Sequence, residues 1–221
     1  FDVVEEYDPD VFIGYNIFGF DFDYIDARLT DIGMEWRNVG RLLEEECSMK
    51  CLSWNSDAYG YNKLNIFKCP GRISVDLLPY IKRDYKLSMY NLNAVGKHFL
   101  GETKVDLKAQ EMFDIHGRIM DTMTEIREIT EIEDDDDKAL KSLIQMARNK
   151  DITTKTFKNI VENIKGNTLI AKYNVQDSVL VLRLFEKLNV WISLIELSSI
   201  VRVTPMEFFT RGQQVRCVAQ L

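Results

Sequence analysis

Val11-Phe12-Ile13-Gly14-Tyr15-Asn16-Ile17-Phe18-Gly19-Phe20-Asp21-Phe22-Asp23-Tyr24-Ile25-Asp26-Ala27-Arg28-Leu29 is the stretch whose reading decides the fold. Val11, Phe12 and Ile13 form a short apolar run, the mark of a buried strand. Gly14 lets the backbone turn, Asn16 comes next, and Phe20-Asp21 stands just beyond. Tyr24, Ile25, Arg28 and Leu29 then recur at helical spacing. A strand that gives way to a helix around an Asn and an Asp places polar groups at the carboxyl edge of a sheet. Open α/β sheets carry their chemistry there. Asp is also a good helix N-cap, so Asp21 or Asp23 has a purely structural reading as the cap of the following helix.

Working outward, residues 2–6 read as the tail of a helix, and Asp8-Pro9-Asp10 as a turn that feeds the strand. The helix after Asp21 runs to about Ile32, where Gly33 serves as its stop. Residues 44–68 alternate polar and apolar side chains around Tyr59-Gly60-Tyr61-Asn62, which predicts a β-hairpin. Its aromatics, Trp54, Tyr59, Tyr61 and Phe67, suit cross-strand pairing, and unpaired bases can also stack on such rings. Ile73 to Leu77 reads as a strand closed by Pro79. Leu92, Val95, Phe99 and Leu100 predict a helix stopped by Gly101. The basic residues Lys82, Arg83, Lys86 and Lys97 fit a solvated helix face as well as a phosphate contact, and His98 reads as structural.

Helical patterns continue over 123–132, 139–147 and 152–164, separated by the acidic run Glu131-Ile132-Glu133-Asp134-Asp135-Asp136-Asp137-Lys138. Such a run is read as a solvated loop, and consecutive carboxylates do not converge into a built metal site. Asp134 to Lys138 spells an enteropeptidase recognition sequence, so ready cleavage after Lys138 is the mark of an exposed loop. From Asn167 a long apolar helical face resumes. Tyr173 and Asp177 lie four apart within it, on one face. Read without context, Asp177 pairs with a nearby Lys or Arg and Tyr173 packs on the core.

The chain has 221 residues, 46% of them hydrophobic, enough for a real core. Its net charge of -7 argues against simple duplex binding, which favours basic surfaces, but not against a nuclease with an acidic metal site. Cys47, Cys51, Cys69 and Cys217 lack the second close Cys pair or the neighbouring His of a zinc site, so they read as reduced thiols of an intracellular protein. No apolar run is long enough to span a membrane. The chain starts at Phe1 and ends within an apparent helix, which predicts an internal fragment of a longer product.

Asn16-x-x-x-Phe20-Asp21 after Gly14-Tyr15 resembles the second exonuclease motif of the family B DNA polymerases, of delta-like, eukaryotic and large-DNA-virus type. Three later passages resemble the same family, in family order. They are Gly71-Arg72-x-x-x-Asp76 with Tyr85-Lys86-Leu87 and Leu92-Asn93-Ala94-Val95-x-x-x-Phe99-Leu100-Gly101-Glu102-x-Lys104, then Tyr173-x-x-x-Asp177, then Arg211-Gly212-Gln213-Gln214. The Tyr173–Asp177 passage is similar to the third exonuclease motif, with Gln176 where some relatives carry Lys, and the last to the passage into the polymerase palm. The match fades over residues 106–166, read as a lineage-specific helical insertion with a disordered or flexible centre.

The resemblance implies an α/β, ribonuclease-H-like exonuclease domain: a mixed sheet with flanking helices, its first strands missing. It would occupy residues 1–197, with a hairpin over 44–70, and a helical start of the polymerase domain would take residues 198–221. It implies a proofreading 3′–5′ exonuclease within a replicative DNA polymerase of the nucleus or a viral replication site. Asp21 and Asp177 would be catalytic metal ligands, for two Mg²⁺ or Mn²⁺ ions per complete site. Tyr173 would bond the attacking water or the scissile phosphate. Asn16 and Phe20 would position a single-stranded 3′ end of a primer-template, and Asp76 would have a structural or DNA-positioning role. The parent enzyme would use dNTPs and a processivity partner. The family's first motif, Asp-x-Glu, does not precede Val11, and its polymerase motifs are absent, so these 221 residues alone are expected to be inactive. Two other readings stand beside this one. A free-standing exonuclease has no need of the palm passage, and a non-catalytic scaffold is not obliged to keep Asn16, Asp21, Tyr173 and Asp177.

Overall fold

The computed structural model describes residues 1–42, 44–56, 60–102 and 107–207. The chain divides into two compact units, Phe1–Thr103 with Val179–Leu221, and Lys104–Ser178.

The first unit opens with α1 (Asp2–Tyr7), β1 (Val11–Gly14) and a π-helical turn, Ile17–Asp21, that leads into α2 (Phe22–Asp31). A hairpin, β2 (Ser48–Ser56) and β3 (Gly60–Lys68), is followed by β4 (Ile73–Asp76), α3 (Leu77–Asp84) and α4 (Leu92–Leu100). β1 pairs in parallel with β4, Val11 opposite Ile73 and Gly14 opposite Asp76. β2 and β3 pair antiparallel from Ser48–Lys68 to Ser56–Gly60. Among the described residues the expected mixed sheet is therefore two separate two-stranded sheets, one parallel and one antiparallel. Trp54, Tyr59 and Tyr61, the aromatics of the expected hairpin tip, lie outside the described side chains.

Several boundaries arise from local chemistry. Gly33 takes φ 68° and closes α2, with its N–H on Thr30 O and that of Met34 on Leu29 O. Asn91 caps α4 through Ala94 N at 2.8 Å, and Gly101 ends it at φ 72°. Pro79, read as the end of a strand, sits instead in the first turn of α3. Proline is tolerated there because a first-turn N–H has no intrahelical acceptor to lose. Gly71 has φ 81°, and a Cβ on it would meet Arg41 Cβ at 2.7 Å, so no larger residue fits this turn unstrained. Beside it the buried Arg72 donates to Val39 O at 2.9 Å and to Pro9 O at 2.5 Å, and pairs with Asp8 at 2.7 Å. The Gly-Arg pair thus closes the turn before β4 and ties it to the entry of β1.

The core of this unit gathers Phe18, Phe22, Phe67, Val75, Leu77, Ile81 and Val95, with Val181, Leu184, Val190 and Leu194 from the C-terminal helices. Trp36 stacks on Phe67 with ring centroids 4.2 Å apart. Cys47 and Cys69 are free thiols with their sulfurs 3.5 Å apart, and burial pushes the Cys69 thiol up to about 12. Cys217 lies outside the described residues.

The second unit carries α5 (Ala109–Thr130), α6 (Asp136–Asn149) and most of α7 (Thr154–Lys187), whose last turns belong to the first unit, as does α8 (Val190–Val201). Ile115, Ile119, Met123, Ile126, Leu143 and Ile160 form a core of its own. The three short helical patterns read from the sequence prove to be longer helices, and the stretches read separately around 152–164 and after 167 are one helix. Only residues 131–135 of the acidic region lie outside helices. Asp135 caps α6 by accepting from Lys138 N at 3.0 Å, and Asp136 pairs with Arg127 at 2.7 Å. Carboxylates suit the first turn of a helix because its free N–H groups and dipole favour negative charge. The Lys138–Ala139 bond lies inside that first turn, with Ala139 buried, so resistance to enteropeptidase is expected where an exposed loop would be cut.

Candidate active site

Asn16, Phe18, Phe20, Asp21 and Asp76 come together where β1 ends. Asn16 adopts a left-handed conformation, φ 65° and ψ 27°, which Asn accepts more readily than most residues. Its carbonyl receives the N–H groups of Gly19 at 3.1 Å and Phe20 at 3.0 Å. The N–H of Phe22 reaches back to Ile17 O, five residues earlier, which makes the turn π-helical. The wide turn places Phe18 in the core at 0% exposure while Phe20 stands 61% exposed. Asp21, next to Phe20, is exposed too. It leads into α2 in helical conformation with no side-chain cap bond, so the capping alternative does not describe it. The ring of Phe20 is nearly parallel to that of Tyr24, centroids 6.0 Å apart.

Beneath the turn lies Asp76, 1% exposed. Its Oδ1 accepts from Asn16 N at 2.7 Å and from Leu78 N at 3.0 Å, and its Oδ2 accepts from Phe18 N at 3.0 Å. Burial pushes the Asp76 carboxyl above the usual range, the three N–H groups oppose that, and the charge of Asp21 adds to the rise. Partial burial likewise raises the Asp21 carboxyl. Tyr15 donates to Tyr90 O at 2.6 Å, and burial and the charge of Asp76 keep its phenol protonated well above its ordinary range.

Of the residues singled out in the sequence, Asn16, Phe20 and Asp21 share this one turn. Tyr173 and Asp177 lie one turn apart on α7, both half-buried, and Tyr173 packs on the core of the second unit. Among the described residues no three His, Cys, Asp or Glu side chains converge as a metal cluster. Asp21 offers the hard oxygen donors that Mg²⁺ and Mn²⁺ prefer. The oxygens of Asp76 are already engaged with backbone N–H groups. The donor type fits such a cation, with Asp21 the accessible carboxylate of this turn.

Sequence reasoning left Gly19 and the anchoring bonds of Asp76 unseen. A Cβ on Gly19 would lie 2.5 Å from Asn16 Oδ1. Gly19→Ala is therefore expected to displace the Asn16 amide while leaving the buried side of the turn intact. The stability loss should be about 1 kcal/mol or less. Thermal melting checks this, and a clearly larger loss would mean that the buried side of the turn moves as well.

Residues 1–95 match the model of the DNA polymerase family B exonuclease domain. The whole chain aligns with DNA polymerase 120R of Invertebrate iridescent virus 3, 34% identical over 222 residues, 100% of this chain and 16% of that protein. Over residues 1–95 this is a family B exonuclease domain. The chain is also similar to the DNA polymerase delta catalytic subunit of Candida albicans, 28% identical over 219 residues, 99% of this chain and 17% of that one. It thus spans about a sixth of the length of these polymerases. Its fold is that of part of the family B DNA polymerase of the hyperthermophilic archaeon Pyrobaculum calidifontis, with TM-score 0.56 and 20% identity over 99% of this chain and 21% of that chain. No helix among the described residues of the chain is long and apolar enough to cross a membrane.

Proposed function

We propose that the chain is the proofreading 3′–5′ exonuclease portion of a replicative, delta-like DNA polymerase, acting on the unpaired 3′ end of a primer-template. The observation that carries this reading is the Asn16–Asp21 turn. It presents an exposed aromatic ring and an exposed carboxylate on consecutive residues at the carboxyl end of a parallel strand. The domain is of ribonuclease-H-like type over residues 1–197, and residues 198–221 enter the polymerase domain. The Arg211-Gly212-Gln213-Gln214 passage that motivates this boundary lies outside the described residues.

Within the reaction Phe20 stacks on the terminal base, and Asn16 holds the strand by its amide. Tyr173 donates its hydroxyl to the attacking water or the scissile phosphate. Asp21 and Asp177 would hold the divalent metal, Mg²⁺ or Mn²⁺, two per complete site. When bound, it lowers the pKa of water and offsets charge on the leaving 3′ oxygen. The parent enzyme takes dNTPs and a processivity partner and works in the nucleus or at a viral replication site.

In a polymerase carrying this chain, excision of a mispaired 3′ nucleotide is expected to stop on EDTA and return with Mg²⁺ or Mn²⁺. Excision at full rate in EDTA would overturn the reading. The 221 residues alone contain no Asp-x-Glu motif. They are expected to trim single-stranded DNA at least about 100-fold more slowly than such an enzyme, since lost metal-site partners already cost 10–100-fold. Robust Asp177-dependent trimming by this chain alone would sink that expectation.

A further inference from the structure

Asp76 is a buried carboxylate that the proposed chemistry does not use. Taking a carboxylate out of water is costly, and hydrogen bonds offset only part of the cost. As a plain helix cap it needs one N–H partner, and Leu78 N supplies it at 3.0 Å. Yet the same side chain accepts two further N–H groups, from Asn16 at 2.7 Å and Phe18 at 3.0 Å, sixty and fifty-eight residues away in sequence. Both belong to the turn that carries Phe20 and Asp21. One carboxylate therefore joins the end of β4 and the start of α3 to the turn after β1.

Register explains why an Asp suits this place. Gly14, the last residue of β1, lies opposite Asp76, the last residue of β4. The chain leaves β1 with N–H groups that have no further strand to pair with. Asn16, held left-handed, turns its own N–H and that of Phe18 towards β4. A carboxylate can take both, with lone pairs to spare for α3, whereas a neutral Asn has one accepting oxygen. Charge-assisted bonds of this kind are short and roughly twice as strong as neutral ones.

We infer that Asp76 is a positioning residue of the exonuclease site: it fixes the Asn16–Asp21 turn, and through it the placement of Phe20 and Asp21 against the 3′ end. The inference rests on the proposed 3′-end binding. Asp76 touches no substrate and acts through the backbone of Asn16 and Phe18.

The test uses the 221-residue chain and a single-stranded oligonucleotide bearing 2-aminopurine at its 3′ terminus, in EDTA. Quenching of the probe reports stacking of the terminal base. Asp76→Asn is expected to weaken binding about tenfold or more, the scale of losing a supporting partner, and to remove most of the quenching. It should also raise amide exchange at Asn16 and Phe18 at least about tenfold. Far-UV circular dichroism at the temperature of measurement establishes that the variant is folded. Ile81→Val, in the same core but bonded to nothing in the turn, serves as the control for lost stability. It should leave affinity within about twofold. A folded Asp76→Asn protein with wild-type affinity and quenching overturns the inference, as does an equal loss of affinity in Ile81→Val. Failure of the unaltered chain to bind the oligonucleotide overturns the 3′-end reading itself, and the inference with it.

Discussion

Replacing Asp21 by alanine in a polymerase that carries this chain is expected to lower mispair excision at least about 100-fold and to leave nucleotide incorporation near its original rate. The lower bound comes from metal sites in general, where removing only a supporting partner costs 10–100-fold and a ligand costs more. Asp21 is exposed on the turn, caps no helix with its side chain, and neighbours the exposed Phe20. Its removal therefore takes away a charge and almost no packing, and the melting temperature should move by little. Phe20→Ala should behave differently. Losing a stacking platform weakens binding of the terminal base by about 1–3 kcal/mol, so its effect falls on KM more than on kcat. Single-turnover excision of a mispaired and a matched 3′ nucleotide, run beside incorporation assays, separates the two variants. An Asp21→Ala enzyme that excises within a few-fold of the original would remove Asp21 from the chemistry. Attention would then pass to Asp23, in the first turn of α2.

The elements at the site are readable in the sequence because their signals are local. Val11 to Ile13 form a strand, and Gly33 and Gly101 end their helices, each through bonds that span a few residues. The features that escape such a reading are long-range or depend on exact backbone geometry. A π-helical turn has no periodic signature within five residues, so the sequence pattern places the helix after Asp21, where it does start, but not the π-helical turn before it. Asp76 reads locally as the end of a strand, and its bonds to Asn16 and Phe18 cross about sixty residues of sequence. Pro79 misleads for a related reason, since a proline that closes a strand and one that opens a helix differ only in the residues after them. The acidic run is ambiguous in the same way, because its last residues are the first turn of α6. Tyr173 and Asp177 are legible as a helical pair, and α7 carries them so, one turn apart on a helix that runs unbroken from Thr154 to Lys187.

Phe18→Ala is expected to destabilise the first unit by about 3–5 kcal/mol, the usual cost of emptying a fully buried phenylalanine site. Phe18 is 0% exposed and sits among Phe22, Phe67 and Val75, its ring 6.3 Å from that of Phe22. Its side chain is the buried half of the π-helical turn, and its N–H is one of the three that Asp76 holds. The cavity therefore opens beneath the exposed Phe20 and Asp21, where relaxation of the backbone would cost Asp76 its partner. Tryptophan fluorescence in urea is the suitable measurement, because Trp36, Trp54 and Trp191 all belong to Phe1–Thr103 with Val179–Leu221 and none to the other unit. The midpoint should fall with little change in slope, the sign of lost stability without a change in the surface exposed on unfolding. Phe18→Leu, which keeps most of the volume, should cost clearly less. A loss below about 1 kcal/mol for Phe18→Ala would mean that the turn collapses onto the space without penalty. Phe18 would then not be what holds the turn, and Asp76 would be left as its main anchor. If the loss is as large as expected, the same residue that stabilises the core also supports the backbone that carries the exposed Phe20 and Asp21. Substitutions there would weaken the fold and displace that turn together, whereas Asp21→Ala is expected to lower excision and leave the fold in place.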